Sequence, residues 1–231
     1  KEQRMTKRKR GKAEGAFGDN GLQDDAASTE KVGEIMVHNT SAAALTGCVL
    51  DLDKVALSFV NSYYNPADNP SRVHVRVEYR DPFSIVEMYE NGRLKLTSAP
   101  SIDAARLNLR RAARRLKVHL GYDVKFHNFQ ICGLMATYYT GFEININKLT
   151  KDTTFPIKYD LERSPGAQVM VPVPDEIKGP DDQQKDANIT VTVFHSGKTS
   201  VLGAKSLRVL EYVYARLLPL LETFKYQPRR D

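Results

Sequence analysis

The stretch "SGKTS" at residues 196–200 has the residue types of a loop that cradles phosphate. That chemistry needs a second glycine five residues before Gly197. The position is Thr192, and alternation on both sides makes the stretch a hairpin turn, not a strand-to-helix loop. The five histidines, His38, His74, His119, His127 and His195, show no metal-ligand spacing. Cys48 and Cys132 alone form neither a disulfide framework nor a zinc site. No nucleophile elbow and no dinucleotide fingerprint occurs. The expectation is a protein that is not an enzyme and has no cofactor.

What remains is binding chemistry. In "MYENGRLKLTSAPS" (88–101), alternation puts Met88, Leu94 and Leu96 on one face and Tyr89, Asn91, Arg93, Lys95 and Thr97 on the other. In "VFHSGKTSVLGAKS" (193–206) and the residues before it, Val191, Val193 and Val201 point one way. Thr190, Thr192, Phe194, Ser196, Lys198 and Ser200 point the other. Arg72, His74 and Arg76 share the polar side by the same parity. A face with aromatics, hydroxyls and spaced cations suits a polyanion with flat bases; a merely solvated sheet face is the alternative. The net charge of +6 and pI of about 9.2 favour the first reading weakly. The first twelve residues hold seven Lys and Arg against one acid, Glu2, the composition of a disordered basic arm.

These faces need strands, and helices to cover their backs. At an offset of 105, Gly92 meets Gly197, Ala99 meets Ala204 and Ser101 meets Ser206. At an offset of 94, "VHNTSAAALTGCVLDL" (37–52) lies over "ICGLMATYYTGFEINI" (131–146). The difference places about eleven extra residues in the second copy, and the polar "KGPDDQQKDAN" (178–188) is the natural insertion. A period of roughly 100 residues is too long for a solenoid. It implies two half-domains: a basic arm at 1–33, a repeat at 34–124, a second at 125–226, and a basic tail at 227–231.

In the first copy Asp51 caps a helix with Leu52, Val55, Ala56, Phe59 and Val60 on its buried side, ended by the prolines of 64–70. "VHVRVEYR" (73–80) alternates as a strand. A helix from about Ala104 to Leu120 puts Ala105, Leu109, Ala112, Ala113, Leu116 and Leu120 inward. Arg106, Arg110, Arg114 and Lys117 line its outer side, flanked by Arg111 and Arg115. The second copy ends in a helix over 206–224 that Pro219 should bend or tighten.

The 231 residues suit one large domain or two small ones. No apolar run reaches membrane-spanning length, so no membrane partner is expected. The N-terminal residues lack the apolar stretch of a secretory signal, so the sequons at Asn39 and Asn188 are expected to stay unmodified.

From about Val37 to Phe224 the chain resembles the core of the TATA-binding protein family. The likeness rests on "GCVLDL" (47–52), "YNP" (64–66), Asp81-Pro82, "SGK" (196–198), "LGAKS" (202–206) and Pro219 in the last helix. The divergence is similar to that of TBP-related factors, such as kinetoplastid ones. The resemblance implies an α+β fold in which two tandem pseudo-symmetric repeats form a saddle. A curved antiparallel sheet is its underside and helices cover the convex side. It implies a nuclear general transcription initiation factor that binds double-stranded promoter DNA in the minor groove. Aromatic pairs wedge into base steps at each end and kink the duplex.

Carried over by position, the wedge sites are Arg72 and Tyr89 in one half and Ser164 and Phe194 in the other. The paired asparagines of the family's pseudo-dyad fall on Asn39 and Gly133, and an apolar groove position falls on Glu87. These departures imply relaxed TATA preference. The expected DNA-facing set is Asn39, Arg72, Tyr89, Arg93, Lys95, Thr97, Ser164, Phe194, Ser196 and Lys198. Asp160 and Glu162 match positions that meet TFIIB-like factors, with Arg163 replacing an apolar neighbour. Asn61 and Arg80 match positions that meet TFIIA-like factors, with Tyr63 replacing an acid. Arg106, Arg110, Arg114 and Lys117 lie where regulators and other initiation-complex subunits dock. The alternatives are an adaptor of the same fold with little DNA contact and a single-stranded RNA binder. RNA platforms place aromatics centrally on the sheet, whereas these lie near hairpin ends.

Overall fold

The computed structural model describes residues 32–68, 70–179 and 188–227. Most of the expected arm, insertion and tail lies outside them. Val32 and Gly33, the last two residues assigned to the arm, already meet Tyr139: the Gly33 N–H donates to its carbonyl at 3.0 Å.

Among the described residues, a set of five strands and two helices occurs twice in the same order, with one added 3-10 turn in the first copy. The first set is β1 (Met36–Leu45), α1 (Leu52–Ser58), β2 (Ser62–Tyr63), a 3-10 turn (Pro70–Arg72), β3 (His74–Arg80), β4 (Phe83–Tyr89), β5 (Arg93–Ala99) and α2 (Ile102–Leu120). The second is β6 (His127–Tyr139), α3 (Ile146–Leu149), β7 (Ile157–Lys158), β8 (Ala167–Pro172), β9 (Asn188–Val193), β10 (Lys198–Ala204) and α4 (Leu207–Thr223). All strands join one antiparallel sheet in the order β2-β3-β4-β5-β1-β6-β10-β9-β8-β7, which reads the same from either end once repeats are matched.

Each half buries its own core against helices on one face. Ala105, Leu109, Ala112 and Leu116 of α2 pack on Val75, Val86, Met88, Leu94 and Leu96. Leu210, Val213, Leu217 and Leu221 of α4 pack on Val169, Val191, Val193 and Val201. Ile131 in β6 touches both cores.

The local signals repeat at the offsets read from the chain. Asp51 and Asn145 cap α1 and α3, accepting from the Lys54 and Lys148 N–H groups at 3.2 and 3.1 Å. Ser101 and Ser206 cap α2 and α4, accepting from Ala104 and Val209 at 3.1 and 3.2 Å. Each cap stabilises by about 1 kcal/mol. The hairpin glycines Gly92 and Gly197 have φ of 78° and 83°, and a Cβ on either would lie 2.2 Å from the carbonyl oxygen of Cys48 or Phe142. The Thr46 and Thr140 hydroxyls donate to the carbonyls of these glycines at 2.9 and 3.2 Å.

Two expectations are corrected. Helix α1 stops at Ser58, and Val60 is 74% exposed rather than buried. Phe59 has extended backbone and Asn61 takes φ 59°, so the chain reverses into β2 before the prolines are reached. For the last helix the correction concerns only its start: α4 begins at Leu207, with Ser206 as its cap, while Pro219 lies inside it on the exposed side and the last turn closes with a Phe224 N–H to Leu221 carbonyl bond at 3.1 Å.

Candidate nucleic-acid interface

The sheet face away from the helices can be read row by row from the strand register. In the first half one row runs Tyr63, Arg76, Glu87, Lys95, Ala43, Gln130. The next carries His74 opposite Tyr89. In the second half, rows run Lys158, Gln168, Thr192, Ser200, Thr137 and Met170, Thr190, Leu202, Met135, Asn39.

The halves differ in chemistry at matched positions. Glu87, Tyr89, Arg93, Lys95 and Thr97 stand where the second copy has Thr192, Phe194, Lys198, Ser200 and Leu202. The first half is therefore charged and self-paired. Lys95 Nζ lies 3.1 Å from Glu87 Oε2, and the Tyr89 hydroxyl donates to the same oxygen at 2.7 Å. The Tyr89 ring also lies tilted against His74, centroids 5.4 Å apart. Burial and the Glu87 carboxylate push the Tyr89 phenol up to about 12. Burial would raise the Glu87 carboxyl, but the Tyr89 and Lys95 hydrogen bonds outweigh it and hold Glu87 below its usual range. Beside them, Arg76 Nη2 bonds to Glu78 at 2.7 Å.

The second half is neutral across its middle. Leu202 is 69% exposed and Met135 39%, facing each other across β10 and β6, with Thr190 and Met170 continuing the row. Phe194 covers Gly166, where an added Cβ would lie 2.9 Å from the ring. Lys198 Nζ sits 5.5 Å from the centre of the Tyr139 ring. Alternation from Phe194 through Lys198 and Ser200 leads directly to Leu202, and this signal was there to follow. Met135 has no comparable signal, because β6 shifts register against both β1 and β10 and so breaks simple alternation.

The structure gathers Arg72, Tyr89, Arg93 and Lys95 around one open cleft of about 660 Å³ at the end of the first half. Thr97 pairs with Ile85 in the interior of the sheet. Asn39 lies at the seam opposite Met135, its Oδ1 buried with no hydrogen-bond partner. Ser164 lies in the loop between β7 and β8, its hydroxyl accepting from the Gly166 N–H at 3.2 Å. Ser196 sits in the hairpin turn before Lys198.

On the edge of the first half, Asn61 and Arg80 line a shallow hollow of about 470 Å³ with Tyr63, Arg76 and Glu78. Asp160 and Glu162 share the β7–β8 loop; Asp160 Oδ1 accepts from the Glu162 N–H at 3.1 Å. The outer stripe of α2 needs one correction. Arg106 is half-buried, its guanidinium 4.0 Å from the centre of the Phe129 ring, whereas Arg110, Arg114 and Lys117 are exposed. Of the flanking pair, Arg111 donates to the Asp81 carbonyl at 2.7 Å and Arg115 Nε to the Ser58 carbonyl at 3.0 Å.

Comparison with known proteins gives this arrangement a family. The model of "Transcription factor TFIID (or TATA-binding protein, TBP)" matches residues 34–119 and again 128–224. TATA box-binding protein-like 2 of Rattus norvegicus is 29% identical over 189 residues, covering 82% of this chain and 50% of that protein. The TATA-box-binding protein of Caenorhabditis elegans is 26% identical over 189 residues, covering 82% of this chain and 51% of that one. The chain thus spans about half the length of these curated relatives. The solved structure of the Methanococcus jannaschii TBP superposes with a TM-score of 0.68 at 23% identity, covering 82% of this chain and 99% of that one. The likeness shows the same saddle-like α+β fold.

Proposed function

Because the chain belongs to the TATA-binding protein family, we propose that it is a general transcription initiation factor of the nucleus. In this reading it binds promoter duplex DNA in the minor groove through the helix-free face of its sheet. The observation that carries the proposal is the row Met170, Thr190, Leu202, Met135, Asn39, with Phe194 and Lys198 two rows away on the same face, beyond Thr192 and Ser200. Exposed apolar side chains and hydroxyls at sheet spacing suit the edges of A·T pairs, which offer only acceptors in the minor groove. The cations suit phosphates, and each half keeps one ring, Tyr89 or Phe194, for a base step.

With Arg72 and Ser164 at the other wedge positions, we infer relaxed preference for TATA sequences. Asn61 and Arg80 would meet a TFIIA-like factor, and Asp160 and Glu162 a TFIIB-like factor. The exposed α2 cations Arg110, Arg114 and Lys117 would meet other initiation-complex subunits. One observation favours the adaptor reading instead: the first half spends Lys95 and Tyr89 on Glu87.

Fluorescence anisotropy with TATA and non-TATA duplexes separates the two. A DNA-binding factor gives salt-dependent binding to both, within about tenfold of each other, that is lost in the Phe194→Ala/Lys198→Glu double variant. Capture of TFIIA- and TFIIB-like factors with no duplex binding selects the adaptor. Tight and strongly TATA-selective binding contradicts the inference of relaxed preference.

A further inference from the structure

We propose that Glu87 is an internal competitor for DNA phosphate, a carboxylate that holds Lys95 and Tyr89 down on the sheet so that the second half of the face engages a duplex before the first. The inference rests on the reading above, that this face takes DNA, and adds an order and a regulator to it.

The geometry is that of a latch. One carboxylate oxygen, Glu87 Oε2, receives both the Lys95 ammonium at 3.1 Å and the Tyr89 hydroxyl at 2.7 Å. The Glu87 side chain is 19% exposed and that of Lys95 40%, so the acid lies low on the sheet with the cation drawn over it. Arg76 is directly opposite Glu87 in the register but gives its guanidinium to Glu78. The carboxylate is thus balanced mainly by Lys95. If a phosphate takes Lys95, a half-buried anion remains facing the polyanion, so the exchange is resisted.

The molecule carries its own control. The repeat places Thr192 where Glu87 stands, Ser200 where Lys95 stands and Phe194 where Tyr89 stands. The second half therefore builds the matching β9–β10 surface with no acid among the residues of those two strands, and its ring has no hydroxyl by which to be tied. The fold does not require a carboxylate at this register. The acid acts on the face, not on the core.

The test uses the full chain and a fluorescein-labelled A·T-rich duplex, with 2-aminopurine at the step under the first half. Glu87→Thr, which copies the other repeat, is expected to tighten binding about tenfold. It should also steepen the slope of log K against log salt by about 0.9, the mark of one added phosphate contact. 2-Aminopurine emission should rise as Tyr89 is released into the stack. Glu87→Gln keeps an acceptor for Tyr89 and removes the charge. It should steepen the salt slope without the emission change, and it serves if the threonine variant folds poorly. Thr192→Glu should weaken binding. Unchanged affinity and slope in both Glu87 variants, with Phe194→Ala/Lys198→Glu still abolishing binding, overturns the latch and leaves the DNA reading standing. Absence of duplex binding by the parent and both Glu87 variants overturns both, and binding by a Glu87 variant alone supports both.

Discussion

The side-chain amide of Asn108 in α2 donates to the Ser84 hydroxyl in β4 at 2.7 Å, and both residues are fully buried. The same nitrogen donates to the Pro82 carbonyl at 2.8 Å, and Asn108 Oδ1 accepts from Arg111 at 3.1 Å. At the matching positions the second repeat has Val213 and Ile189, both inside its apolar core. Asn108→Val alone strands the buried Ser84 hydroxyl and the part-buried Pro82 carbonyl and should cost about 2 kcal/mol in denaturant unfolding. Adding Ser84→Ile rebuilds the other repeat's solution and should recover about half of that. A double variant less stable than the sum of the singles contradicts the argument.

Ser98 offers a stabilising change. It takes φ 64° at a bulge where β5 pairs with β1, and its repeat counterpart is Gly203 at φ 93°. A left-handed non-glycine residue costs about 1–3 kcal/mol, and the freedom a glycine brings to the unfolded chain offsets roughly 0.5–1 kcal/mol of that. Ser98→Gly should therefore stabilise by about 0.5–1 kcal/mol in thermal or denaturant melts. No gain would mean that the bulge relaxes around the serine.

The two halves of the sheet face should respond unequally to the same insult. Leu202 is exposed, so Leu202→Glu should leave the fold intact, yet it puts an anion in the middle of the proposed groove surface. Duplex affinity should fall about tenfold or more. Thr97→Glu, at the matching place in the first half, should do less, because Glu78 and Glu87 already make that half the weaker contact. Equal losses in side-by-side titrations would remove the asymmetry.

Alkaline pH should weaken the fold. Burial raises the phenols of Tyr79 and Tyr214 to about 12, and burial with the Glu87 hydrogen bond does the same for Tyr89. Between the ordinary tyrosine pKa of about 10 and 12 the folded state holds protons that the unfolded state has lost, so stability falls as pH rises. An ultraviolet titration should show these three phenols ionising above the ordinary tyrosine range, and unfolding midpoints should drop over the same window. Tyr89→Phe should remove part of the drop.

Alternation and the two repeat offsets made the strands, caps and hairpin glycines legible, because each is fixed by a residue or two of its own neighbourhood. Asp51, Ser101, Gly92 and their counterparts are such cases. What was not legible depends on distant partners. Glu87 reads from the resemblance only as an acid at an apolar groove position, and only folding shows that Lys95, eight residues on, meets it. Arg106 belongs to a basic stripe by helical spacing, but Phe129 in the next repeat draws it down. Val60 has helical spacing too, yet Asn61 has already turned the chain. Asn108 carries no signal of its own along the chain, because its partners lie 24 and 26 positions away.

The seam between β1 and β6 has one more consequence. No tether separates the halves; a ladder of backbone hydrogen bonds joins them, and Ile131 contributes to both interiors. Severed from its twin, either half would present that strand as an open margin with its donors and acceptors unspent. Two severed copies would be expected to knit along it, so the single chain behaves as a pair of subunits permanently fused.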